Sequence, residues 1–134
     1  MTAQTADAPA PPSPFDRLGG ADSIRAIVER FYDLMDSDPA YAELRAMHAA
    51  DLAPMRVSLA GFLTGWAGGP RDWFAANPGR CMMSIHRHLA ITPQVAQQWA
   101  DAMQRAIADI SPGDPVLAKA MAGVLGDLAG GMAG

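Results

Sequence analysis

MSIHRHLAITPQVAQQWADAM, residues 83–103, is the stretch from which the rest of the chain is read. Thr92-Pro93 is a helix start, a capping hydroxyl followed by a proline at the first helical position. Val95, Trp99, Met103, Ile107 and Ile110 then recur every three or four residues, which places them on one face of a helix. The segment before Thr92 reads as a short helix from about Cys81 to Leu89, carrying His86 and His88.

The same grammar repeats on both sides of this stretch. Upstream, Asn77-Pro78-Gly79 marks a turn, and residues 71–79 read as irregular. Leu52, Met55, Leu59, Phe62, Leu63 and Trp66 form an apolar helical face that Gly68-Gly69-Pro70 stops. A short piece, Ala40 to Met47, follows Asp38-Pro39. Before it, Asp22 or Ser23 can cap a helix carrying Ile24, Ile27, Phe31, Leu34 and Met35. Downstream, Ser111-Pro112 repeats the start signal for a last helix with Val116, Leu117, Met121, Val124, Leu125 and Leu128, fraying at Gly130-Gly131. No β-branched alternation occurs, so the reading is all-α. Apart from Met1, residues 1–12 have no large apolar side chain and are expected to be a disordered tail, with one domain over 13–134.

Composition narrows the function. The 134 residues carry a formal net charge of -4 and a pI near 5.1, which argues against nucleic acid or an anionic membrane as partner. A lone cysteine, Cys81, rules out an intrachain disulfide and suits a reducing compartment. No secretory signal or long apolar run is evident, so a cytoplasmic location is expected. His86 and His88 are two apart and point in different directions on a helix, against a zinc site. No strained nucleophile turn accompanies Cys81 or a serine. Neither glycine pair follows a strand, and the single lysine, Lys119, is not in a phosphate-binding loop. The apolar helix faces outnumber the elements available to cover them. Most are core, yet a large flat apolar cofactor would fill such a space, with His86 able to bind iron from one side.

Four pieces carry a resemblance: FDRLGG (15–20), FYDLMDSDP (31–39), LRAMHAADLAPMRVSLAGFLTGWAGGP (44–70) and the opening stretch (83–103). In this order and spacing they resemble the truncated hemoglobins, and within them the second group. The resemblance implies a truncated globin, a two-over-two helical sandwich around heme b. It also implies a proximal histidine followed by an apolar residue at three, Ile at five and Trp at thirteen. Counting from His86 gives Leu89, Ile91 and Trp99; counting from His88 gives Ile91, Pro93 and Asp101. The iron ligand implied is therefore His86, with His88 a rim or surface residue.

The same resemblance matches Tyr32 to the distal tyrosine, Trp99 to the distal indole and His48 to the polar position at the helix corner. Met55 and Leu59 fall where the distal helix faces the ligand, and Phe31 and Phe62 match the aromatics packed on the cofactor. Many relatives carry basic residues just before the proximal histidine to hold the heme propionates. Here those places are Met83, Ser84 and Ile85, leaving Arg80, Arg87 or Arg56 as substitutes.

The implied ligands are O2, NO and CO. Donors from Tyr32 and Trp99, with His48 a candidate third, are expected to slow oxygen release. Nitric oxide dioxygenation or peroxide chemistry would need an external electron donor. The alternative is a non-catalytic heme-based carrier or sensor. Monomer and homodimer are both compatible with the sequence.

Overall fold

A computed structural model describes residues 13–78, 91–110 and 113–132. The expected tail (1–12), the expected short helix with Cys81, His86, His88 and Leu89, and Arg80 and Arg87 lie outside the described residues. Among the described residues there is no strand. The described residues form seven α-helices: α1 (Pro14–Leu18), α2 (Ala21–Ser37), α3 (Ala42–Ala46) after a 3-10 turn (Pro39–Tyr41), α4 (Ala53–Trp66), α5 (Asp72–Ala76), α6 (Pro93–Ile110) and α7 (Pro115–Met132).

Helix α1 is capped by the Ser13 hydroxyl, which accepts the Asp16 N–H at 3.1 Å. It turns into α2 through Gly19 and Gly20, whose φ angles of 110° and 80° lie where a side chain is strained. Neither Asp22 nor Ser23 caps α2. The cap position is Gly20, two residues before Asp22, and the helix starts at Ala21, because the positive-φ glycine pair already sets the entry. Its apolar face is as read: Ile24, Ile27, Val28, Phe31, Tyr32, Leu34 and Met35 are all buried. These positions recur at three- and four-residue spacing, so one stripe faces inward.

Helix α6 is capped as the sequence reads, with Thr92 Oγ1 accepting the Val95 N–H at 3.1 Å. Its inner face is Val95, Ala96, Ala100, Ala102, Met103, Ala106 and Ile107. This alanine-rich surface lets α7 lie close along it. A Cβ added at Gly126 of α7 would sit 3.5 Å from the Ala100 Cβ, in ordinary contact. Helix α2 packs on both α6 and α4, so the long helices form two packed pairs about one apolar core.

Two further expectations are corrected. Residues 72–76 are helical rather than irregular, because Trp73 and Phe74 dock against α4. Helix α7 starts at Pro115 rather than at Ser111-Pro112 and runs through Gly130-Gly131 to Met132. Asp114 is its cap, accepting the Leu117 N–H at 3.0 Å, and it also pairs with Arg17 of α1 at 2.6 Å. The Gly113 N–H reaches the Leu18 carbonyl at 3.2 Å, so the start of α7 is fixed by a tertiary contact.

Candidate functional site

Between the pairs lies a cavity of about 380 Å³. This is within the roughly 300–1,000 Å³ typical of pockets for small molecules and cofactors. Helix α2 contributes Tyr32, and the segment after the 3-10 turn contributes Leu44, Met47, His48 and Ala49. Helix α4 adds Met55, Ser58, Leu59, Phe62 and Leu63, and α6 adds Val95, Ala96 and Trp99. Ile91, Trp73 and the Leu125, Leu128 and Ala129 face of α7 close the remaining described wall. Nearly all of this surface is hydrocarbon or ring, which suits a large apolar guest.

Of the residues named from the sequence, Tyr32, His48, Met55, Leu59, Phe62 and Trp99 are brought together here. Ile91, which with Trp99 set the count from His86, lines the same space. Phe31 stands behind this wall. It is fully buried, with its ring centroid 4.9 Å from that of Tyr32 and 5.3 Å from that of Trp99, both edge to face. It therefore braces the two polar aromatics from the rear.

The polar atoms are few and placed. Tyr32 is 2% exposed, and its hydroxyl has no hydrogen-bond partner among the described residues. No side-chain nitrogen or oxygen described is both sealed off and unpartnered, so this hydroxyl opens on the cavity. Burial pushes its pKa up to about 12, against the opposing pull of Arg56, whose guanidinium carbon lies 5.7 Å from the ring centroid. The hydroxyl thus stays protonated and able to donate across the physiological range. The half-buried Trp99 also has an indole N–H without a partner among the described residues. The His48 ring lies edge-on to Tyr32, centroids 6.0 Å apart, with Nδ1 2.9 Å from the Leu44 carbonyl oxygen.

Arg56, one of the three candidate propionate partners, is already engaged. It bonds Glu29 at 3.1 Å and Asp33 at 3.0 Å, both on α2.

Sequence reasoning missed Trp73 and Ser58. The Trp73 indole donates to Ser58 Oγ at 3.1 Å, and its ring joins Phe62 and Phe74 in an aromatic cluster with centroids 5.0–5.6 Å apart. Gly61 and Gly65, one turn apart on α4, make this possible. A Cβ at Gly65 would come within 2.6 Å of the Phe74 ring, and one at Gly61 within 3.1 Å of Trp73. The signal was present as adjacent aromatics, Trp73-Phe74, downstream of a glycine pair spaced by four.

Residues 13–133 match the family model described as bacterial-like globin. The chain is 30% identical to a group 1 truncated hemoglobin of Chlamydomonas moewusii, over 91% of this chain and 72% of that protein. Its fold is similar to a cold-adapted truncated hemoglobin of Pseudoalteromonas haloplanktis TAC125, with a TM-score of 0.85 at 30% identity, covering 91% of this chain and 98% of that one. A group II 2-on-2 hemoglobin of Agrobacterium tumefaciens gives a TM-score of 0.88 at 27% identity, covering 95% and 98%.

Proposed function

The chain belongs to the bacterial-like globin family, and from that premise we propose that it is a group II truncated hemoglobin that binds oxygen and retains it through donors from Tyr32 and Trp99. The fold is the two-on-two globin arrangement, and the cofactor of the family is heme with its iron. The observation that carries the reading is the buried, protonated Tyr32 hydroxyl opening on an apolar cavity that Trp99 also lines.

The described walls fit that cofactor. Leu59, Phe62, Leu63, Val95 and Ala96 offer it flat apolar contact. His86 is assigned as the iron ligand, on its spacing to Ile91 and Trp99, both of which line the cavity. Heme, when bound, supplies a coordination position open to a diatomic ligand. Tyr32 and Trp99 would each be placed to donate to such a ligand, and each neutral bond would be worth about 0.5–1.5 kcal/mol net. Carbon monoxide gains less charge and benefits less from the same donors. Group II membership rests on the Tyr32, His48 and Trp99 set, which the sequence resemblance ties to that group.

The test is an absorbance spectrum after addition of hemin, taken in ferric, ferrous and oxygenated states. A Soret band with a stable oxygenated form is expected, and colourless protein overturns the reading. Nitric oxide consumption by the oxygenated protein, with an external reductase present, separates turnover from carriage or sensing.

A further inference from the structure

Helix α3 is only five residues long, and its cap residue, Tyr41, supplies no side-chain cap. The first-turn N–H groups of a helix have no partner inside it. One of them, the Leu44 N–H, is taken by a side chain from another helix: Gln98 Oε1 of α6 accepts it at 3.1 Å. Gln98 does not act alone. Gln94, Gln98, Asp101 and Arg105 lie along one stripe of α6, at steps of four, three and four, and all bond to the segment from Asp38 to Leu44. Gln94 Nε2 donates to Glu43 at 2.7 Å. Asp101 accepts the Tyr41 hydroxyl at 2.5 Å, and Arg105 donates to Asp38 at 2.8 Å and to the Tyr41 oxygen at 3.0 Å.

Leu44 is also the residue whose carbonyl meets His48. A carbonyl oxygen only accepts, so His48 Nδ1 must carry the hydrogen in that 2.9 Å contact. In the neutral ring Nε2 is then without a hydrogen and acts as an acceptor.

We propose that Gln98 is a positioning residue for His48: by capping α3 at Leu44 it fixes the carbonyl that holds the ring as the Nδ1–H tautomer. His48 then meets the pocket as a proton acceptor, while Tyr32 and Trp99 are the donors. This departs from the expectation that His48 is a third donor. It rests on the heme-pocket reading only in that the wall so positioned is the ligand-facing one.

The experiment uses the full chain loaded with hemin, reduced and saturated with carbon monoxide, with 15N-labelled histidine. Nitrogen chemical shifts give the His48 tautomer at a pH where the ring is neutral, and loss of the signal in His48→Gln assigns it. The native chain is expected to show mainly Nδ1–H. Gln98→Met, of similar shape but without the acceptor, is expected to shift the tautomer ratio toward Nε2–H by roughly two- to tenfold, the worth of one neutral hydrogen bond. Gln98→Glu keeps the acceptor and is expected to restore the native ratio. A native chain holding mainly Nε2–H overturns the proposal without any variant, as does an unchanged ratio in Gln98→Met. Failure to load hemin overturns the heme reading instead, and is visible as a missing Soret band before the nitrogen spectrum is taken.

Discussion

Tyr32 and His48 meet edge to face with ring centroids 6.0 Å apart, one from α2 and the other from the segment after α3. The phenol is packed behind by Phe31, so Tyr32→Phe removes the hydroxyl and leaves the ring packing in place. Oxygen dissociation is expected to quicken about 2- to 12-fold, one neutral hydrogen bond. Carbon monoxide dissociation should change less. Stopped-flow measurement of both ligands checks this, and equal oxygen rates would remove Tyr32 from the site's chemistry.

Alkaline titration tests the same group thermodynamically. Burial, opposed by Arg56, raises the Tyr32 pKa from 10.0 to about 12. A raised folded-state pKa means the folded chain holds its proton where the unfolded chain has lost it. The stabilisation is complete below pH 10 and is lost as pH climbs toward 12. Roughly 2–3 kcal/mol is expected to disappear over that interval. Denaturant midpoints measured across that interval should fall further in the native chain than in Tyr32→Phe, which has no phenol there to ionise.

Glycine replacements on α4 are expected to rank by clearance. Gly65→Ala drives a methyl to within 2.6 Å of the Phe74 ring and should cost about 1–3 kcal/mol through overpacking. Gly61→Ala, at 3.1 Å from Trp73, should cost less. Gly126→Ala on α7 meets only ordinary contact at 3.5 Å and should stabilise by up to about 1 kcal/mol through helix propensity. Thermal unfolding of the three variants reads the order.

Replacing each of His86 and His88 in turn tests the proposal that His86 is the iron ligand. His86→Gly is expected to lose the iron–imidazole bond, changing the ferric and ferrous spectra, with added imidazole restoring them. His88→Gly should leave both spectra close to native. A native spectrum in His86→Gly would show that the count to Ile91 and Trp99 picked the wrong histidine.

Much of the fold was legible because long amphipathic helices carry their own punctuation. The faces of α2 and α6 and the Thr92 cap follow from spacing and caps within each segment. What escaped was set by contacts distant in sequence. Helix α5 exists because Trp73 and Phe74 dock on the glycines of α4, which local propensity does not encode. The start of α7 falls at Asp114-Pro115 and not at Ser111-Pro112 because Arg17 and the Leu18 carbonyl hold it there.

The cavity residues were found by resemblance more than by pattern. Tyr32 and Leu59 have the same helical register as any core residue, and nothing in their spacing marks them as pocket-lining. Trp73 and Ser58 lay in or against a segment read as irregular, so their pairing was invisible. Phe31 was matched to the cofactor, but its ring stands one layer back, against Tyr32 and Trp99.

The apolar cavity has a further consequence for folding. Leu59, Phe62, Leu63 and Leu125 belong to the same continuous core that holds the helices together, and all four face the cavity. Without a guest, their atoms lack dispersive partners on one side. Saturation with hemin and resistance to unfolding are therefore two readings of one equilibrium. A hundredfold excess over the dissociation constant would add about 2.7 kcal/mol, so in a cell the lifetime of the folded chain would track the supply of its prosthetic group.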